Sequence, residues 1–298
     1  MNFEGIYTPV ITPFNADNTI NYDAYVAQVK YLSDSGVQGV VIGGTTGEYY
    51  VESLEERIKL LQLAKETVAE NVHVVFGTGS IDPEDSIVLA KAAAENKADA
   101  ILVATPPYSL PTQQELAEHA LDVDQAAGLP IMLYNYPDRM GVNMEKEFFD
   151  IVFAKSSNFI SIKESSGDIN RLHMLVNDYP ELQVSCGMDD QALEFFAWGC
   201  KSWVCAGSNF LPTEHLALYQ SCVVENDFVK GRKVMASMMP LMSVLEQGGK
   251  FIQCVKQGVE IDGRFAGEVR KPLKGLSEEE KGQMADVVGT LKGAIAAL

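Results

Sequence analysis

The sequence predicts an α/β fold, a (β/α)8 TIM barrel with additional C-terminal helices, on three observations. Eight short apolar runs alternate with eight stretches of helical periodicity, and no linker or shift in composition separates them. Strands such as 39–42 and 100–103 are apolar on both faces, as parallel strands covered by helices are. Eight successive βα units fit a closed barrel better than an open doubly wound sheet. We expect residues 1–225 to form the barrel and residues 226–298 to form a helical extension packed on it.

The predicted strands and helices follow one another in a regular order. The strands are expected at 6–11, 38–43, 73–77, 99–104, 130–135, 159–163, 182–186 and 202–207. The helices of the barrel are expected at 21–35, 53–70, 83–96, 112–127, 144–155, 168–178, 190–198 and 213–225. Three further helices are expected in the extension, at 227–246, near 249–258 and at 277–297, with a loop at 263–274.

Helix-capping residues mark several of the predicted helix starts. Ser53 and Glu56 have the spacing of a capping box, and Asp82 places an acceptor before a proline at the first helical position. Further caps are expected at Thr112, Asp168 and Thr213.

Composition argues against several classes of partner. The 298 residues include 23 Lys+Arg and 41 Asp+Glu, a formal net charge of −18, whereas nucleic acids and anionic membranes need a positive surface. No run approaches the roughly 18 apolar residues that span a bilayer, and the first residues lack the pattern of a signal peptide. The five cysteines show no CxxC spacing and are typical of buried thiols in a reducing compartment. We therefore expect a cytoplasmic protein that binds neither nucleic acid nor membrane.

The loop after the second strand, Gly43-Gly44-Thr45-Thr46-Gly47-Glu48, is a candidate anion site at the end of the barrel where reactive groups lie. Its glycines let backbone N–H groups approach a ligand closely, and its two hydroxyls add donors, which suits a carboxylate. A tight turn with incidental threonines is the alternative interpretation. Neither of the glycine-rich phosphate-binding patterns follows a strand in the right frame.

Lys163, at the end of the sixth strand, is the sharpest chemical signal in the sequence. Its amine is expected over the barrel mouth, where desolvation disfavours the ammonium form and leaves the free amine that a Schiff base requires. The alternative is a structural ion pair with Glu164 or Glu48.

Two tyrosines and an arginine follow neighbouring strands. Tyr134 ends the fifth strand, where a phenol can donate or accept a proton, although packing is the more common reason for a tyrosine there. Arg139 follows it and can bind a carboxylate bidentately. Tyr108 lies in a loop stiffened by three prolines, which suits a catalytic phenol or a subunit contact. The four histidines show no metal-ligand spacing, so no metal is expected.

Three motifs in this order resemble the dihydrodipicolinate synthase / N-acetylneuraminate lyase family. They are Gly44-Thr45-Thr46-Gly47-Glu48, Tyr134-Asn135-x-Pro137 and Ile162-Lys163-Glu164-x-x-Gly167-Asp168. The resemblance implies a class I, Schiff-base-forming lyase that needs no metal or organic cofactor. It also implies that a 2-oxo acid, usually pyruvate, is held as an imine on lysine, and that the chain forms a homotetramer built as a dimer of dimers.

The resemblance also implies a role for each matching residue. Lys163 would form the imine, and Tyr134 would be the general acid and base beside it. Tyr108 would reach into the neighbouring subunit's site and complete a proton relay from Tyr134 through Thr45. The substrate-binding residues would be Thr46 and Gly47 in the carboxylate loop, Arg139 at the site entrance for the second substrate's carboxylate, and Val204, which offers its carbonyl.

Two departures from the family pattern bear on regulation and on the second substrate. Lysine-inhibited synthases carry two histidines, an asparagine and a tyrosine at the positions of Leu54, Arg57, Ile81 and Pro107. Because none is kept, we expect no feedback inhibition by lysine, and an inhibition constant below millimolar would contradict this. The bulky residues 49–50 replace the small ones usual in synthases, so the identity of the second substrate stays open.

Three functions therefore remain open. The first is condensation of pyruvate with an aldehyde such as aspartate semialdehyde, which Tyr108 and Arg139 favour. The second keeps the imine but acts as a dehydratase, aldolase or deaminase on a keto-deoxy sugar acid or on pyrroline-4-hydroxy-2-carboxylate. The third is a non-catalytic sensor of keto acids, which Lys163 and Tyr134 disfavour.

Overall fold

The computed structural model describes all 298 residues and contains a closed barrel of eight parallel strands. Each strand pairs with the next in sequence, and β8 pairs with β1 to close the sheet. The strands are β1 Gly5–Pro9, β2 Gly39–Ile42, β3 His73–Gly77, β4 Ala100–Ala104, β5 Ile131–Asn135, β6 Phe159–Glu164, β7 Gln183–Cys186 and β8 Ser202–Val204. The predicted TIM barrel is confirmed.

Helices surround the barrel and continue beyond it. Nine lie before residue 226: α1 Tyr22–Asp34, α2 Leu54–Thr67, α3 Pro83–Glu95, α4 Gln113–Ala127, α5 Pro137–Met140, α6 Lys146–Lys155, α7 Ile169–Asp178, α8 Ala192–Ala197 and α9 Pro212–Tyr219. Three follow: α10 Phe228–Met242, α11 Phe251–Ile261 and α12 Glu278–Ala296. The sequence did not predict α5, a single turn directly after β5. None of the helices combines the length and hydropathy that a bilayer-spanning segment needs.

The capping residues explain where several helices begin. The Ser53 hydroxyl accepts a hydrogen bond from the Glu56 amide at 3.2 Å, and the Glu56 carboxylate accepts one from the Ser53 amide at 2.9 Å. These two bonds form the predicted capping box. The predicted cap at Thr213 is wrong, because α9 already begins at Pro212, whose ring suits the first helical position.

The predicted strand 202–207 is too long at its carboxyl end. The Ala206 amide donates to the Asp189 carboxylate at 3.2 Å instead of continuing a strand ladder, and residues 207–209 form a helical turn. Ala206 therefore lies at the end of β8, where it lines the cavity described below.

The apolar core has two parts that follow from the strand alternation. One lies between the barrel and its helices, and the smaller one fills the barrel with side chains such as Tyr7, Val75 and Met132. The second part also contains Tyr134 and Val204, so it reaches the site described below. Because side chains fill the interior, the barrel is a packed core and not a pore.

The residues after α9 pack on the barrel and on one another. Helix α10 contacts α8, α9 and α12, and α11 contacts α12. Pro240 lies inside α10, and residues 243–247 continue it as a π-helical turn that contacts residues 189–191 after β7. This turn therefore brings the C-terminal residues to the same end of the barrel as the predicted site.

Candidate active site

Six of the eight predicted site residues line one cavity at the carboxyl ends of the strands. The cavity is narrow, with an open volume of about 40 Å³, and the six are Thr45, Thr46, Tyr134, Arg139, Lys163 and Val204. Of the other two, Gly47 is buried in the loop beside the cavity, and Tyr108 lies outside it. A larger cavity, of about 280 Å³, lies at the amino ends of β7 and β8 and contains none of the predicted residues.

The Lys163 side chain is buried and has no carboxylate partner. It is 9% exposed, and no Asp or Glu oxygen lies within ion-pair distance of its amine. Both carboxylates of the alternative interpretation are engaged elsewhere: Glu164 pairs with Arg171 at 3.3 Å, and Glu48 pairs with Lys256 at 2.7 Å. The alternative of a structural ion pair is therefore wrong, and the amine is left to face the cavity.

Tyr134 lies beside Lys163 because the two residues are in register on adjacent strands. The Lys163 Nζ atom is 4.3 Å from the centroid of the Tyr134 ring, a cation–π distance when the amine is charged. On the other side, a Cβ atom added to Gly187 would lie 2.8 Å from Lys163 Cγ. Only glycine at this position leaves room for the lysine stem.

The loop after β2 has the geometry of a ligand-binding turn. Residues 45–47 form one helical turn, and Glu48 follows in the left-handed region at φ 63°. The Thr45 hydroxyl oxygen is buried without any hydrogen-bond partner. An unpaired buried hydroxyl is costly, which is typical of a group that a ligand satisfies.

A buried ion pair from the C-terminal helices holds this loop. Lys256 in α11 pairs with the Glu48 carboxylate at 2.7 Å and donates to the Glu268 carbonyl at 2.9 Å. The other Glu48 oxygen accepts from the Arg270 amide at 3.0 Å. Burial of Glu48 raises the pKa of its carboxyl group, and Lys256 opposes that rise. Sequence reasoning missed Lys256, although a lone lysine within the apolar stretch of α11 was a usable signal.

Two carboxyl groups line the cavity on the β7 side. Asp189 is buried and accepts hydrogen bonds from Trp203 Nε1 at 2.8 Å and the Ala206 amide at 3.2 Å. Burial raises the pKa of Asp189 to about 6. Glu246 reaches the cavity from the π-helical turn 243–247. Sequence reasoning gave no role to Asp189 and missed Glu246, since a periodic pattern does not reveal a π-helical turn.

Tyr108 and Arg139 lie farther from the amine. Tyr108 is 91% exposed and in the left-handed region at φ 73°, so within one chain it does not join Tyr134 and Thr45. Arg139 lines the active-site cavity with its guanidinium 5.5 Å from the Tyr136 ring centroid. It also lines a neighbouring cavity of about 440 Å³. That second cavity contains the four positions on which the lysine-inhibition prediction depends: Leu54, Arg57, Ile81 and Pro107.

No three His, Cys, Asp or Glu side chains are grouped so that they could hold a metal ion. The cavity itself offers an amine, two phenols, two hydroxyls, a guanidinium and two carboxyl groups.

Comparison with known proteins identifies the family. The model of the dihydrodipicolinate synthetase family matches residues 2–291. The chain belongs to that family. It is a family of class I aldolase-type lyases, so the chain is an enzyme.

Individual family members cover nearly the whole chain. The 4-hydroxy-tetrahydrodipicolinate synthase of Methanocaldococcus jannaschii is 33% identical, over 97% of this chain and 99% of the relative. The structure of the synthase of the same name from Methylacidiphilum fumariolicum SolV is 29% identical, covers 99% and 98% of the two chains, and has a TM-score of 0.93. YagE, a prophage family member from E. coli K12 solved with pyruvate, is 27% identical, with 98% and 99% coverage and a TM-score of 0.90.

Proposed function

We propose that the chain is a 4-hydroxy-tetrahydrodipicolinate synthase that joins pyruvate to aspartate semialdehyde through an imine on Lys163. The observation that carries the proposal is the buried Lys163 amine without a carboxylate partner, in one cavity with Tyr134 and the Thr45–Thr46 loop. Relatives of that name at 30–33% identity over nearly the full chain support the choice of reaction.

The amine supplies the covalent step. Its lone pair attacks the ketone carbon of pyruvate, and loss of water leaves an iminium ion that withdraws electrons from the adjacent methyl group. Removal of a methyl proton then gives a neutral enamine. The enamine carbon attacks the aldehyde carbon of the second substrate, and the aldehyde oxygen takes up a proton. The amino group of that substrate, after losing a proton, attacks the new iminium carbon, which closes the ring and expels the Lys163 amine.

The surrounding residues hold the substrate and move its protons. We assign the Tyr134 phenol to the proton transfers, because its ring lies against the lysine amine. The Thr45 and Thr46 hydroxyls and the amides of the Gly47 turn receive the pyruvate carboxylate, and the Val204 carbonyl faces it from β8. The unpaired Thr45 hydroxyl supports this assignment.

Arg139 and Tyr108 complete the proposed site. Arg139 binds the carboxylate of the second substrate, for which its position at the edge of the cavity is suitable. Tyr108 projects from its own chain, which supports a role in the site of a neighbouring subunit within a homotetramer built as a dimer of dimers. Five free, buried cysteines support a cytoplasmic location.

Substrate consumption tests the proposed reaction. Pyruvate loss that depends on aspartate semialdehyde, absent in Lys163→Arg, is the expected result. Ammonia release from pyrroline-4-hydroxy-2-carboxylate, or water loss from a keto-deoxy sugar acid, without aldehyde-dependent pyruvate loss would overturn the synthase and favour an elimination on the same imine.

A further inference from the structure

Basic and acidic groups lie on opposite sides of Lys163. Strand β6 lies between β5 and β7 in the closed barrel, so Lys163 has different neighbours on its two sides. On the β5 side are Tyr134 and the cationic Arg139, and on the β7 side are Asp189 and Glu246. A second substrate entering this cavity therefore meets a positive group on one side and carboxyl groups on the other.

Glu246 enters the cavity through an irregular piece of helix. Helix α10 contains Pro240 and ends in the π-helical turn 243–247, which contacts the turn that carries Asp189. Single π-helical turns are rare and occur frequently at functional sites. The turn places a carboxyl group from outside the eight βα units in the same cavity as the lysine proposed to form the imine.

The Glu246 carboxyl group lacks a permanent cationic partner. It forms no ion pair within 4.0 Å, and the contacts that favour its charged form are the attraction of Lys163 and a hydrogen bond from the Asp189 backbone amide. The Asp189 carboxyl group gives it no cationic partner, because it is itself acidic and accepts from Trp203. Burial first, and then repulsion by Asp189 and Asp190, raises the pKa of Glu246. Such a carboxyl group is favoured in its protonated form, and a cation beside it would favour the charged form again.

The proposed reaction removes the one cation that Glu246 has. Lys163 is positive as an ammonium and as the iminium, but the enamine that follows is neutral. The second substrate reacts at the enamine stage, when Glu246 and Asp189 face an uncharged nitrogen. A cationic group on that substrate would restore the balance of charge at this moment.

We propose that Glu246 is a specificity-determining residue that binds the ammonium group of the second substrate while Arg139 binds its carboxylate. Such a contact would favour aspartate semialdehyde over aldehydes that carry a carboxylate but no amino group. This inference rests on the proposed synthase function, since it concerns the partner that the enamine attacks.

The test removes the charge from either side of the contact. Glu246→Gln is compared with wild type for its KM with aspartate semialdehyde and for competitive inhibition by succinic semialdehyde, the same aldehyde without the amino group. A charge-assisted hydrogen bond lost from this half-buried position predicts a KM increase of about tenfold or more. The inhibition constant of succinic semialdehyde is expected to change less than about twofold, and Glu246→Asp is expected to retain part of the affinity.

A surface carboxylate provides the matched control. Glu225→Gln removes a carboxylate that pairs with Lys230 on the surface at 3.0 Å, and it is expected to leave both constants unchanged. An equal loss of affinity for both aldehydes in Glu246→Gln, or an unchanged KM for aspartate semialdehyde, would overturn the inference. The synthase function would still stand as long as the wild-type protein condenses pyruvate with aspartate semialdehyde. Wild-type protein that forms the pyruvate imine but consumes no aspartate semialdehyde would overturn both.

Discussion

The Glu48–Lys256 ion pair is predicted to determine both the stability of the protein and its affinity for pyruvate. Lys256→Met keeps the length of the side chain and removes its charge, so the buried Glu48 carboxylate loses a partner at 2.7 Å. Breaking a buried pair from one side costs about 3–5 kcal/mol. For a chain of 298 residues the expected fall in Tm is about 5–8 °C.

The same change is expected to disturb the loop after β2 (residues 43–48, the proposed pyruvate loop). Glu48 directly follows the turn that carries Thr45 and Thr46, and its left-handed backbone is fixed by Lys256 and by the Arg270 amide. Because small displacements of binding groups lower activity steeply, we expect kcat/KM for pyruvate to fall about tenfold or more. Steady-state kinetics and thermal unfolding of the same preparation measure the two effects.

A second ion pair in the same C-terminal region provides the control. Lys250 pairs with Glu280 at 2.7 Å, but the Lys250 side chain is 40% exposed and the pair does not touch the pyruvate loop. Lys250→Met is expected to change Tm by less than about 2 °C and to leave the kinetics unchanged. The Glu48→Gln/Lys256→Met double variant removes both charges and is expected to recover part of the lost stability. The reasoning would be refuted if Lys256→Met kept the Tm and the pyruvate kinetics of the wild type. It would also be refuted if Lys250→Met lost as much Tm and kcat/KM as Lys256→Met.

Two further predictions concern an exposed phenol and a buried carboxyl group. Tyr108→Phe is expected to lower kcat by about 10²–10⁴-fold through loss of a proton relay without changing Tm, and an unchanged kcat would mean that this loop serves assembly only. Burial raises the pKa of Glu52 to about 7 from 4.5, so its cost to stability grows as pH rises between these values. Glu52→Gln is therefore expected to raise Tm more at about pH 8 than at about pH 5, and an equal gain at both would contradict this.

Sequence patterns predicted the barrel well because its strands carry a strong local signal. Buried parallel strands such as Gly39–Ile42 are apolar on both faces, and capping residues such as Ser53 determine helix starts within a few residues of sequence. The errors occur where distant residues decide local structure. Strand β8 ends early because the Ala206 amide binds Asp189, which comes from the loop after another strand.

The same distinction applies to the site. Lys163, Tyr134 and the Thr45 loop could be predicted together, because carboxyl ends of parallel strands meet at one end of a barrel. Lys256 and Glu246 could not be placed there, because their positions depend on how the C-terminal helices pack on the barrel. Tyr108 does not meet the other site residues within one chain, and only its exposure supports the inferred contact with a neighbouring subunit.

Covalent trapping of pyruvate tests the central claim most directly. The protein is incubated with pyruvate, reduced with borohydride and digested, and the modified peptide is identified by mass spectrometry. We predict a stable adduct on the peptide containing Lys163 and none in Lys163→Arg. Wild-type protein without an adduct, or with the adduct on another lysine, would contradict the account.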